Sequence, residues 1–278
     1  MASRRSGTAI VLILVAGLLL PPGASGISAS PNRRHPVRRA DSLPTPAHVL
    51  WIGAHPDDEI LFSPVLADWC LDRSVQCTFL VATRGEAGTC ELPGGCGPDL
   101  GRVRSFEMET SAALYGATLV QWSLSDGGGA DGRWSTESGS EAALIESLKN
   151  AIVASGADVV FTFDEHHGST FHPDHRELGR LVREAMLGIE SEVLLLILLE
   201  TVVDIAFVNE EIEIGFRGDA SSESWDARRL LPRLGVPAWV FVERQMRVHA
   251  TQFDEPWLDA IDLVTEDQWR VWWSVESR

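Results

Sequence analysis

The stretch WIGAHPDDEI, residues 51–60, sets His, Pro, Asp, Asp and Glu side by side straight after an apolar run. His55 and Asp58 lie three apart, with Pro56 stiffening the backbone between them. A strand-to-helix turn at this place lets both face one point. A second stretch, HHGSTFHPDH at 166–175, holds His172 and His175, again three apart, with Pro173 suited to a first helical turn. Imidazole and carboxylate are zinc ligands, and a catalytic zinc site keeps one position open for water. His55, Asp58 and His175 make such a three-ligand set. Asp57 and His172 then stand beside the ion, free for proton transfer and oxyanion stabilisation. Taken alone, HPDDE also reads as the cap of a helix, with acidic side chains near its positive end. His166 and His167 read as solvated loop residues.

Two distant loops can share a site only if the fold brings them to one edge. Residues 47–54 read as a buried strand, followed by helical spacing over 59–71. A second strand covers 76–83, a Gly-rich loop 84–101 and a helix 102–116 that stops at Gly116. Strand 118–124, helix 137–154 and strand 157–163 continue the alternation, and a helix begins near HPDHRELG. Residues 192–207 add more strand, and 238–253 read as helix. Alternating strands and helices imply an α/β fold, a Rossmann-like three-layer sandwich with a mostly parallel sheet. In such sheets sites form at the carboxyl ends of the strands. HPDDE follows the first strand and HHGSTFHPDH follows strand 157–163, so the two loops lie on one edge.

With AHPDDE and HPDH in hand, the chain resembles the LmbE-like, or PIG-L, family of zinc-dependent N-acetylglucosaminyl deacetylases. Other segments match in order: TRGEAG at 83–88, RSFEMETSAALYG at 104–116, LSDG at 124–127 and RVHATQ at 247–252. The likeness runs over about residues 47–253. It implies that His55, Asp58 and His175 bind the metal, zinc with iron or cobalt as alternatives, and that Asp57 is the general base. It implies that His172 polarises the carbonyl or protonates the amine, with Asp174 orienting His172. Arg104 and Asp126 would hold sugar hydroxyls, and Glu86 would line the pocket. The implied reaction is removal of an acetyl group from an N-acetylated amino sugar by zinc-activated water. Alternatives are cleavage of another amide in a sugar conjugate, or a secreted sugar-binding protein without catalysis. Arg104 could instead pair with a carboxylate of its own helix, Asp126 could be a turn residue, and His249 reads as helix packing.

The remaining signals concern export and partners. Arg4 and Arg5 precede the apolar run 9–20, and the small-residue pattern Ala24-Ser25-Gly26 follows. Residues 1–26 thus read as a secretory signal peptide, too short in its apolar part for a stable membrane span. Residues 27–45 read as a disordered linker and 46–278 as the deacetylase domain. The six arginines before Asp41 leave 17 of the 23 basic side chains against all 40 acidic ones, a formal charge of −23. Such a domain repels nucleic acid. Four cysteines behind an export signal favour disulfides. Of three connectivities, the local one, Cys70–Cys77 with Cys90–Cys96, looks best. The tryptophans at 257, 269, 272 and 273 read as core packing. Gly127, Gly129 and Gly132 match G-x-G-x-x-G, but no helix pattern opens directly after them, which argues against a nucleotide site.

Overall fold

The computed structural model describes residues 46–190, 195–206, 213–215, 223–226, 229–255, 258 and 269–276. The signal-peptide and linker readings, and Trp257, lie outside the described residues. Strand β1 (His48–Gly53) is wholly buried, as its apolar run requires of a central strand. It pairs in parallel with β2 (Gln76–Thr83) on one side and with β4 (Val159–Phe163) on the other. Strand β3 (Thr118–Leu124) extends the sheet beyond β2, and β5 (Leu195–Ala206) extends it beyond β4, both in parallel. The order is therefore β3-β2-β1-β4-β5. Among the described residues β5 also takes a short antiparallel strand β6 (Glu213–Gly215). Two further antiparallel strands, β7 (Glu223–Asp226) and β10 (Trp269–Glu276), close that side. Residues 230–231 and 236–237 form a separate pair, β8 and β9.

Helix α1 (Ser63–Leu66) and helix α2 (Leu100–Leu114) connect β1, β2 and β3. Helices α3 (Arg133–Glu137), α4 (Glu141–Ser155), α5 (Gly168–Phe171) and α6 (Pro173–Leu187) lie between β3 and β5. Right-handed crossovers put the two groups on opposite faces. Accordingly α4 packs on α6, while α7 (Val240–Val248) packs on α1 and α2. The strand order reverses between β1 and β4. This is the topological switch point, where a doubly wound sheet leaves a crevice at its carboxyl edge. Trp51, Phe79, Trp69, Phe161, Phe62 and Phe163 fill the core around β1.

Three expected helices differ from the spacing. The run 59–71 is not one helix but a 3-10 turn (Asp58–Phe62), α1 and a π-helical turn (Ala67–Asp72). Pro64 lacks an amide donor and breaks the hydrogen-bond ladder there. The run 137–154 is divided at Gly139, whose φ of 88° no helix accommodates, and Ser140 caps α4 by accepting from the Ala143 amide. Helix α7 stops at Val248, because His249 turns inward. Both local disulfides are formed, Cys70–Cys77 and Cys90–Cys96. No helix among the described residues is long and apolar enough to cross a membrane.

Candidate metal centre and active site

The turn after β1 is built by Asp58. Its Oδ2 accepts the amides of Ala54 (2.8 Å) and His55 (2.7 Å), the donors left over where the strand ends. That leaves Oδ1 facing His175 Nε2 at 2.9 Å. Past β4, Asp164 folds the chain back by accepting the amides of His166 and His167, each at 2.9 Å. His172 then caps α6 with its own ring, Nδ1 accepting the Asp174 amide at 3.3 Å. One helical turn in, His175 reaches the crevice with its ring stacked on Phe163, centroids 4.1 Å apart.

Hydrogen-bond partners settle which nitrogen of each ring carries the proton. A carbonyl can only accept, so His175 Nδ1–H donates to Gly168 O (2.9 Å) and Nε2 carries the lone pair. His55 Nε2 lies 3.2 Å from both Asp126 Oδ1 and Asp174 Oδ2, so it carries the proton and Nδ1 the lone pair. His55 Nδ1 is 3.3 Å from His175 Nε2 and 3.6 Å from Asp58 Oδ2. Lone pairs on two buried imidazoles and a buried carboxylate thus converge. Tetrahedral ligands at about 2.0–2.1 Å from an ion stand roughly 3.3 Å apart, close to the 3.3 Å between His55 Nδ1 and His175 Nε2 and the 2.9 Å between His175 Nε2 and Asp58 Oδ1. Carboxylates behind His55 and a carbonyl behind His175 are the supports that fix such ligands. Nitrogens of His55, His172 and His175 also lie within 4.8 Å of one another, as do ligand atoms of His55, Asp126 and Asp174. In the first group His172 Nδ1 is engaged by the Asp174 amide. In the second the His55 atom is the protonated Nε2.

The charges follow from this geometry. Burial opposes a charge on His55, but Asp126, Asp174 and Asp58 outweigh it and hold its pKa well above the usual imidazole value, so Nδ1 also takes up a proton unless a bound cation displaces it. Burial likewise opposes ionisation of Asp58, yet His175 and His55 keep it well below the carboxylate range. Asp57 is different. Burial lifts its carboxyl to about 6, with Arg104 pulling the other way. Desolvation and the neighbouring His175 and His55 push His172 down to about 4, so it is neutral at pH 7. With Nδ1 accepting, its proton sits on Nε2.

The structure brings His55, Asp57, Asp58, His172, Asp174 and His175 together, and gives several neighbours contacts other than those expected. The Asp174 carboxylate does not orient the His172 ring. It accepts from His55 Nε2 and from the Gly127 (2.8 Å) and Gly129 (3.0 Å) amides. A Cβ on Gly129 would lie 2.9 Å from Asp174 Oδ1, so glycine is needed for that approach. The glycine run that resembled a phosphate loop is thus a cradle for a carboxylate. Arg104, expected at the sugar hydroxyls, has its guanidinium engaged within the protein. It is buried and donates to Gly85 O (2.9 Å), Pro56 O (2.5 Å) and Asp57 Oδ2 (2.9 Å), and Gly85 leaves no room beside its guanidinium for a side chain. Nor does Arg104 pair within its own helix. Asp126 sits on His55 with one oxygen and accepts the Ala87 amide with the other (2.9 Å). Glu86 is exposed and accepts the Asp126 amide at 3.0 Å. His249 is not simple packing. It is fully buried against Glu59, a contact for which the sequence offered only the two residue types, 190 positions apart. A polar groove of about 360 Å³, lined by residues including Ala130, His166, Pro173 and Arg176, flanks the His172–Asp174 turn but shares no lining residue with the ligand set.

The chain is similar in sequence and in fold to known proteins. The family model described as PIG-L, GlcNAc-PI de-N-acetylase, matches residues 50–186. A 1D-myo-inositol 2-acetamido-2-deoxy-alpha-D-glucopyranoside deacetylase from Actinosynnema mirum is 30% identical over 157 residues, 48% of this chain and 53% of that protein. The chain therefore spans about half the length of this curated relative. Among solved structures, an N,N'-diacetylchitobiose deacetylase from Pyrococcus horikoshii superposes with a TM-score of 0.55 at 18% identity, over 83% of this chain and 84% of that one. A deacetylase of teicoplanin biosynthesis, in complex with teicoplanin, gives 0.50 at 16% identity, over 82% and 97%. The two structures share the fold.

Proposed function

Because residues 50–186 form a PIG-L (LmbE-like) family domain, we propose that the protein is a secreted, zinc-dependent N-deacetylase acting on saccharides that contain N-acetylglucosamine. The observation that carries this reading is the convergence of His55 Nδ1, Asp58 Oδ1 and His175 Nε2, with Asp57 and His172 beside them. His55, Asp58 and His175 would hold the ion. When bound, such an ion polarises the acetyl carbonyl and lowers the pKa of a bound water to about 7. Asp57, held by Arg104, takes the proton of the attacking water; a carboxyl near 6 is well placed for that at neutral pH. The Nε2–H of neutral His172 donates to the carbonyl oxygen as negative charge builds on it. The proton gathered by Asp57 passes to the amine nitrogen as the C–N bond breaks, leaving acetate and a free amino sugar. Relatives named as deacetylases of N-acetylated glucosamine compounds support the substrate class. The apolar run 9–20 behind two arginines supports export, as do the two disulfides.

The test is a panel of N-acetylglucosamine mono- and oligosaccharides and conjugates, given to metal-stripped and zinc-reloaded protein. Acetate and free amine should appear in equal amounts with the reloaded protein alone. Release of a different acid would make it an amidase of another bond. Binding without release would make it a sugar-binding protein.

A further inference from the structure

Glu59 closes the HPDDE run, yet the reaction above gives it no task. It is fully buried. Its Oε2 accepts the Asp57 amide at 3.2 Å. Its Oε1 accepts the Ser111 hydroxyl, at 2.5 Å, and contacts His249 Nε2. A buried carboxylate is costly unless paired and hydrogen-bonded, and here both conditions are met. His249 is in turn held by the segment that follows it. The Thr251 amide and hydroxyl donate to the two oxygens of Glu107 on α2, at 2.8 and 2.6 Å, and Gln252 Nε2 donates to Thr89 O at 2.8 Å. The late RVHATQ segment is thereby fastened behind the turn at 55–59.

The consequence falls on one peptide group. The Pro56 carbonyl and the Asp57 amide are opposite ends of a single rigid plane. Arg104 holds the oxygen end and Glu59 holds the N–H end. Asp57 has φ 99° and ψ −17°, a left-handed conformation that is strained for a non-glycine residue and persists only when its surroundings impose it. Rotating this peptide breaks both contacts and swings the Asp57 side chain away. We propose that Glu59, secured by Ser111 and His249, is a positioning residue that fixes the Pro56–Asp57 peptide and so aims the Asp57 carboxylate. The proposal rests on the reading of Asp57 as the base.

The test compares zinc-loaded wild type, Glu59→Gln and His249→Gln by metal content, kcat, KM and crystal structure. Glutamine keeps the size of Glu59 but removes the charge that the amide, hydroxyl and imidazole share. Expected are one ion per chain, KM within about twofold, and kcat lower by roughly 10- to 100-fold, the scale of a misplaced catalytic group. The Asp57 peptide should leave its left-handed conformation in the variant crystals. A purely structural role would lower the melting temperature while kcat per loaded site and the Asp57 φ stay as in wild type, and that result overturns the proposal. If Glu59→Gln does not fold, Ser111→Ala removes one donor from the same carboxylate. A fall in kcat with unchanged KM then supports the proposal, and an unchanged kcat overturns it. If wild type hydrolyses no sugar, the base reading fails, while the Asp57 peptide in the paired crystal structures still decides whether Glu59 holds it.

Discussion

Asp57 and Asp58 are neighbours with the same side chain, and the turn gives them opposite surroundings. Asp58 is tied to two strand-end amides and faces His175. Asp57 is tied to Arg104 in a left-handed conformation. Asp58→Ala should therefore lose the metal, read by metal analysis, and lose activity with it. Asp57→Asn should keep one ion per chain and the wild-type KM while turnover falls by about 10²–10⁴-fold. Reversal of these two results would exchange the residues' roles. Arg104 supplies a pH prediction. Burial raises the Asp57 carboxyl and the guanidinium lowers it, so removing the guanidinium raises it further. If Asp57 is the base, it works only when ionised, and activity is lost as pH falls through its pKa. In Arg104→Met the acid limb of kcat/KM should therefore move to higher pH. An acid limb left in place would show that Arg104 does not set the charge of Asp57.

At the scale of elements, the site depends on how closely α6 lies on β4. A Cβ on Gly179 would come within 2.4 Å of the Phe163 carbonyl oxygen, so the helix that carries His175 approaches the strand as near as glycine allows. Gly179→Ala should push α6 outward and cost about 1–3 kcal/mol in urea unfolding, as overpacking does. Metal affinity should weaken with it, because His175 moves while His55 stays. Unchanged affinity would mean that the crevice does not need this close contact. The strands around the switch point were legible in the sequence because buried parallel strands are continuous apolar runs bounded by turn residues. The convergence of His55, Asp58 and His175 was legible because their short spacings lie in loops that follow such strands. What was not legible is what crosses long stretches of chain. Asp174 on the Gly127 and Gly129 amides, Arg104 on Asp57, and His249 on Glu59 are set by how elements pack, and periodicity carries no information about that. The broken helix at 58–72 was missed for a local reason: the apolar spacing hid the effect of Pro64.

The whole molecule brings the crevice together from segments scattered along the chain, and its disulfides brace two of them. Cys70–Cys77 ties the π-helical turn to β2, and Cys90–Cys96 closes the loop ahead of α2. Peptide mapping without reduction should recover both local pairs. Replacing either pair by serine should cost about 2–4 kcal/mol in denaturant unfolding, and recovery of crossed pairs would contradict the assignment. The loops after β1 and β4 meet only in the folded sheet, so the proposed ion site would be a property of the entire fold. Anomalous X-ray scattering at the zinc edge, from crystals of the zinc-loaded protein, tests this most directly. One peak is expected, bonded to His55 Nδ1, Asp58 Oδ1 and His175 Nε2 at about 2.0–2.2 Å, with Asp57 and His172 beside it. A peak held by His172 without Asp58, a peak on Asp126 and Asp174, or no peak in this crevice would contradict it.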